Sequence, residues 1–220
     1  MIVAIDGPAG AGKSTVARAL AERLGIGYLN TGSMYRALTL LAMRAGVDTG
    51  DPDGLAKLAG GHEIALRAAD GRELVLLDGK DVTEACRRRE VTDAVSLVAA
   101  HGTVRAAIVE LQRAVLADGD WVADGRDIGS VVCPDAEVKV YLTADPAERA
   151  RRRHAELAGA GEDVQLGDVL QDIVRRDALD STRAESPLVV AADATVVDTT
   201  GLGVREVVDM LAALAGERVS

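Results

Sequence analysis

An aliphatic run at residues 2–5 opens the chain, with the unalternating pattern of a strand buried on both faces of a parallel sheet. Glycine-rich sequence follows. Residues 15–24 then place apolar side chains at helical spacing, with Val16, Leu20 and Leu24 on one side and Gly25 as the stop. Residues 28–32 predict a second strand ending in a turn, and residues 33–45 a helix. Between 62 and 77 the pattern changes. Two strand-like runs, 62–67 and 73–77, flank an Asp70-Gly71 turn, which makes a hairpin rather than a strand–helix unit. Asp78-Gly79 marks another turn, so 62–91 reads as a small antiparallel insert. One helical stretch is expected over 91–117, buried strands at 121–124 and 138–142, and helices at 146–158 and 165–178. A last strand at 194–197 and a C-terminal helix from 204 complete the chain. Strands alternating with helices around one hairpin predict an α/β fold, a parallel β-sheet flanked by helices.

Composition narrows the function classes. The 220 residues are 48% apolar and 27% charged, the balance of a folded domain rather than a disordered one. Aromatic residues are only 2%, so the core must be aliphatic and base-stacking platforms are nearly unavailable. A net charge of −10 argues against wrapping a nucleic-acid polymer. Any polyanion must be small and held in a locally basic site. Cys86 and Cys133 are too few for a disulfide framework and lack metal-ligand spacing. No run of about 18 apolar residues suggests a membrane span, and no signal peptide is read at the N-terminus. A cytoplasmic protein is expected. It is expected to be monomeric, because the chain has no sustained heptad.

The chemistry starts at Gly7-Pro8-Ala9-Gly10-Ala11-Gly12-Lys13-Ser14, which satisfies G-x-x-x-x-G-K-[ST] between a predicted strand and a predicted helix. Glycines let successive backbone N–H groups converge on phosphate oxygens, and the helix N-terminus adds partial positive charge. Lys13 is expected to reach the outer phosphates of a nucleoside triphosphate, and the Ser14 hydroxyl to ligate the accompanying Mg²⁺, with Thr15 completing the loop. A phosphate-binding loop alone leaves ATPases, GTPases and small-molecule kinases open. No Asn-Lys-x-Asp guanine signature is present, and arginine dominates the basic residues. Its planar, always-charged fork suits phosphate. Asp124-Gly125-Arg126-Asp127 follows a predicted central strand, where open α/β sheets place ligands.

Four segments carry a resemblance: IDGPAGAGKST at 5–15, TGSMYR at 31–36, ADGRDIGSVV at 123–132 and RRDALDSTRAESPL at 175–188. In them the sequence resembles the bacterial cytidylate kinases, which phosphorylate CMP and dCMP with ATP. The resemblance implies a P-loop core (1–30 and 92–220) with a helical lid at about 149–167. It also implies a monophosphate-binding region (31–91) enlarged by the hairpin insert. It places Arg36 and Arg126 on the monophosphate, Tyr35 along that pocket, Thr31 at the ribose, and Ser96 and Arg105 on the base. Asp180 would meet the ribose hydroxyls, and Arg176 and Arg183 the transferring or acceptor phosphate. Arg149 and Arg153 are expected to contact ATP from the lid, and Asp124 to accompany the metal. Asp127 has its own chemical argument: a carboxylate accepts from the cytosine amino group and loses that bond to uracil. Asp180 and Arg183, spaced i,i+3, share a face if helix continues there. Other acceptors (UMP, AMP, shikimate, dephospho-coenzyme A) and a slow NTPase switch remain open from the residues.

Overall fold

A computed structural model describes residues 1–69 and 72–219. In chain order it contains β1 (Ile2–Asp6), α1 (Lys13–Leu24), β2 (Gly27–Asn30), α2 (Thr31–Ala45), α3 (Pro52–Gly61), β3 (Ile64–Ala69), β4 (Arg72–Leu77) and β5 (Lys80–Asp81). Then follow α4 (Thr83–Cys86), α5 (Arg89–Val98), α6 (Gly102–Leu116), β6 (Trp121–Asp124), a π-helical turn (Ile128–Val132), β7 (Val138–Thr143), α7 (Pro146–Gly159), α8 (Leu166–Thr182), β8 (Thr195–Asp198) and α9 (Val204–Val219). The chain divides into two compact units. One comprises Met1–Tyr28, Gly119–Thr182 and Ser186–Ser220, the other Leu29–Asp118 and Arg183–Glu185.

The first unit is built on a five-stranded sheet ordered β2-β6-β1-β7-β8. β1 is central and pairs in parallel with β6 and β7, and β7 pairs in parallel with β8. Parallel order follows from the crossovers, since each returning strand needs a helix to bring the chain back. Val3, Ile5, Val122, Val140 and Leu142 are buried with Val16 and Leu20 of α1 and Leu211 of α9. This aliphatic layer holds the C-terminal ends of β1 and β6 rigidly where the functional loops begin.

The second unit packs α2 with α3, α5 and α6, and carries a three-stranded antiparallel sheet ordered β3-β4-β5. The expected hairpin is present, paired from Ile64↔Leu77 to Ala69↔Arg72. The expected Asp70-Gly71 turn lies outside the described residues. Asp78 (φ 50°) and Gly79 (φ 74°) form the two-residue turn into β5, both left-handed as such hairpin turns require.

The pattern reading needs three corrections here. The expected single helix over 91–117 is two, α5 and α6, bent by 104°. The stretch Ala99-Ala100-His101 holds no strong breaker, but His101 Nε2 lies 2.9 Å from the Thr49 carbonyl and anchors the bend. Next, the core does not resume at residue 92. Val91, Val95, Val98, Val104 and Ile108 are buried with Leu38 and Leu41 of α2, so α5 and α6 belong to the second unit. Finally, no turn separates β2 from α2. The helix starts at Thr31, and its cap is Asn30, whose side chain accepts from the Ser33 amide at 3.1 Å. No single described helix is long and apolar enough to cross a membrane.

Candidate active site

The loop between β1 and α1 is shaped by close approach. Gly7 has φ 146°, and a Cβ there would sit 2.0 Å from the Leu142 carbonyl oxygen. Gly10 has φ 75°, and its Cβ would be 3.0 Å from the Arg149 carbonyl oxygen. Only glycine fits either position. Helix α1 begins at Lys13, two residues before the apolar spacing suggests, and its cap residue Gly12 brings no side-chain acceptor to the first amides. Those amides face an anion by default. Lys13 Nζ donates to the Pro8 carbonyl at 2.8 Å, so the lysine folds back over the loop it belongs to.

At the end of β6, Asp124 is gripped on both oxygens. Ser14 Oγ donates to Oδ2 and Tyr28 Oη to Oδ1, each at 2.8 Å. Arg18 lies over the Tyr28 ring at 5.6 Å and completes this row. A hydroxyl and a carboxylate side by side form an oxygen donor pair that suits Mg²⁺, which prefers one or two protein oxygens and takes the rest from phosphates and water. Among the described residues no cluster of three or more His, Cys, Asp or Glu exists to hold a metal by protein ligands alone.

Three cations converge in the same unit. Lys13 is buried, and its ammonium lies well below the usual range. Burial is the main cause and the Arg126 guanidinium the next, opposed by Asp124, Asp180 and Asp6. Arg176 is lowered by burial and then by Arg126. Its Nε has no hydrogen-bond acceptor among the described residues. Arg126 is steadied by Asp180. Its Nε donates to Oδ2 at 2.8 Å, and although burial alone would lower its pKa, the Asp180 carboxylate raises it overall. Like charges held together in a desolvated place are costly unless an anion joins them.

The arginines of α7 point in different directions. Arg149, expected on ATP, is buried beneath the phosphate loop. Its Nε donates to the Ala144 carbonyl at 3.0 Å, and its Nη1 to the Ala9 carbonyl at 3.0 Å and to Asp177 at 2.5 Å. Asp177 also accepts the Ala9 amide at 3.3 Å. The pair braces the loop backbone from beneath. Arg149→Met should therefore lower thermal stability by about 3 kcal/mol, as a buried pair loses one partner, while weakening ATP binding. A nucleotide titration beside a melting curve checks this, since an arginine that only touched ATP would change affinity and leave the melt alone. Arg153 pairs with Glu156 at 3.1 Å on the exposed side. Arg152, which the pattern did not single out, reaches inward. Its Nη2 donates to the Thr199 carbonyl at 2.7 Å, and a Cβ on Gly12 would lie 3.8 Å from its Nη1.

In the second unit, Thr31, Ser33 and Tyr35 are buried at the start of α2, and Arg36 turns back so that its Nη1 would be 3.5 Å from a Cβ on Gly32. Glu73 of β4 accepts from the Asn30 amide at 3.0 Å and from Ser33 Oγ at 2.9 Å. A carboxylate thus already sits at this helix N-terminus, as an anion should. Sequence reasoning missed Glu73, whose only signal is an acid on an otherwise aliphatic strand. Arg105 is buried with its guanidinium 5.4 Å from the Tyr35 ring, and Ser96 is buried on α5. Helix α8 ends at Thr182, so Arg183 lies one residue past the helix.

The chain matches the cytidylate kinase family over residues 3–217. It is 53% identical over 212 residues to a cytidylate kinase of Pelotomaculum thermopropionicum, covering 96% of this chain and 94% of that one. A cytidylate kinase of Carboxydothermus hydrogenoformans is 49% identical over 218 residues, covering 99% and 98%. This chain belongs to the cytidylate kinase family. A solved structure of an uncharacterised protein from Eubacterium ventriosum aligns with TM-score 0.52 at 13% identity over 97% of this chain and 96% of that one, a likeness of fold. In the first unit of this cytidylate kinase family member, the phosphate loop follows β1, Gly125-Arg126-Asp127 follows β6, and Arg176 lies on α8.

Proposed function

We propose that the protein transfers the γ-phosphoryl group of ATP to a phosphate oxygen of CMP or dCMP, giving CDP or dCDP and ADP. The observation that carries this reading is Arg126, anchored by Asp180, beside both Lys13 and Arg176, two buried cations whose charge it disfavours and an anion would restore. A transferring phosphoryl group needs alignment and charge neutralisation more than covalent help.

In this reading the loop amides and Lys13 hold the outer phosphates of ATP, and Arg176 and Arg126 meet charge developing on the transferring group. Asp180 keeps Arg126 aimed by holding its Nε, and Nη1 also donates to the Gly125 carbonyl at 3.3 Å, which leaves Nη2 for phosphate. Ser14 and Asp124 would hold Mg²⁺, which supplies charge neutralisation between the phosphates when bound. The acceptor phosphate is already anionic at neutral pH, so no general base is required. Thr31, Tyr35, Arg36, Ser96, Arg105, Asp127 and Arg183 are proposed on CMP, with Asp127 accepting from the cytosine amino group. Arg153 and the lid segment 149–167 would exclude water from the γ-phosphate. The reaction calls for no polymer and no membrane. A monomer acting in the cytoplasm completes the reading.

The test is ADP release from ATP and Mg²⁺ with CMP, dCMP, UMP, AMP and GMP offered separately, beside a control without acceptor. CMP and dCMP should turn over about a hundredfold more efficiently than UMP, the scale at which a mismatched buried polar contact discriminates. Equal turnover with UMP would remove the role given to Asp127. ADP release independent of any acceptor would replace the transferase with an NTPase.

A further inference from the structure

Asp6 ends the central strand β1 and is 5% exposed, yet it lies outside the phosphate loop and outside every contact proposed for ATP or CMP. Its Oδ1 accepts the Ile128 amide and its Oδ2 the Gly129 amide, both at 2.8 Å. These are the first two amides of the π-helical turn Ile128–Val132, whose cap residue is Asp127. An aspartate in a cap position ordinarily turns its own carboxylate onto those amides. Asp127 does not; its side chain makes no capping bond, and only its carbonyl joins the turn, accepting from Val131 and Val132.

The cap therefore comes from another strand. Asp6 sits in register with Tyr141 of β7, within a buried parallel sheet, and cannot drift. The fit is close on the turn side as well: a Cβ on Gly129 would lie 3.5 Å from Asp6 Oδ2 and 3.2 Å from the Lys139 side chain. A carboxylate between two consecutive amides, on the central strand of the sheet, fixes the backbone one residue after Asp127. A precise site needs its first contact supported in this way by a second, rigid one.

We propose that Asp6 is a positioning residue for recognition of the acceptor base: by capping the 128–132 turn in place of Asp127, it fixes where the Asp127 carboxylate is presented. The inference rests on the reading above in which Asp127 accepts from the cytosine amino group. Asp6→Asn keeps the size of the side chain and one acceptor but turns an NH2 group against the other amide. Asp6→Ser removes both long-range bonds.

The experiment measures kcat and KM for CMP and UMP at saturating ATP in the wild type, Asp6→Asn, Asp6→Ser and Asp127→Asn, with ATP affinity and melting temperature determined for each. Asp6→Asn should lower the CMP-over-UMP ratio of kcat/KM about tenfold, the scale of one good base contact. Asp6→Ser should lower it further, mainly through KM for CMP, with ATP affinity kept. In the Asp6→Asn/Asp127→Asn double variant the ratio should fall no lower than in Asp127→Asn alone. If Asp127→Asn loses selectivity while Asp6→Asn keeps it, the positioning role is wrong and the base reading stands. Turnover falling equally for CMP and UMP in the Asp6 variants, with a lowered melt, would make Asp6 a purely structural cap. Selectivity unchanged in Asp127→Asn would remove the base reading, and this inference with it. Should Asp6→Ser fail to fold, Asp6→Asn decides alone.

Discussion

Lys13→Met should reduce phosphoryl transfer about a thousandfold, the loss of roughly 4 kcal/mol of transition-state stabilisation. Lys13 starts the helix whose uncapped first amides suit an anion, and it is buried, so nothing in solvent can replace it. The folded chain also disfavours its charge. Burial first, and the Arg126 guanidinium second, hold the ammonium well below the ordinary lysine value of 10.5. ATP phosphates would supply the missing counter-charge, so the ammonium is stabilised only when nucleotide is bound. Loss of function should therefore not come with loss of fold. Between the lowered pKa and 10.5 the unfolded chain holds a proton that the folded chain lacks, so wild-type stability should rise with pH across that window. Lys13→Met should lack this rise and melt no lower than wild type at neutral pH. Steady-state rates with CMP and unfolding curves from neutral to alkaline pH check both halves. Retained turnover, or a collapsed melt, would remove Lys13 from the place given to it.

Most of the α/β framework was legible because its signals are local. The aliphatic runs of β1, β6 and β7 can be satisfied only by burial on two faces, and the loop after β1 carries its chemistry in adjacent residues. The hairpin of β3 and β4 shows in a change of period. What was not legible depends on tertiary partners. The break between α5 and α6 is made by Thr49, far away in sequence, and the assignment of both helices to the second unit follows from burial against α2. Nothing in the 99–102 stretch itself demands a bend.

The site divides along the same line. Gly7, Gly10, Lys13 and Ser14 are readable as one motif, Arg126 and Asp127 stand out by their place after a central strand, and the specific role of Asp180 came from the family resemblance. Arg149, Arg151, Arg152 and Arg153 are near-consecutive on one helix and must point in different directions, so the sequence alone does not say which of them reaches inward. Only the folded chain shows that Arg149 turns under the loop and Arg152 towards Thr199. Asp6 had a signal that pattern reading passes over. An acid at the end of an aliphatic parallel strand is a buried charge, and a buried charge must have partners. Its carboxyl is pushed up to about 6, by burial above all and further by Asp127, with the Gly129 and Ile128 amides pulling it back.

Arg126→Ala should be inactive and also unstable, and the two losses should come apart in a double variant. Arg126 Nε and Asp180 Oδ2 are 2.8 Å apart, and the Asp180 side chain is 9% exposed. Removing the guanidinium takes the counter-charge from a buried carboxylate, which costs about 3–5 kcal/mol. Asp180→Asn in the same chain removes the charge that was left behind, so Arg126→Ala/Asp180→Asn should recover most of the melting temperature. It should recover none of the turnover, because the phosphate-facing edge of Arg126 is still missing. Arg126→Lys should fall between: it keeps a charge, but one ammonium cannot hold Asp180 and a phosphate with the planar fork that serves both. Thermal unfolding and kcat with CMP, measured on the four corners of the cycle, separate these effects. If Asp180→Asn restored activity to Arg126→Ala, the guanidinium would be needed only to neutralise Asp180, and the phosphoryl contact would have to be given to Arg176. If neither stability nor activity responded to Asp180, the ion pair would be incidental and another group would aim Arg126.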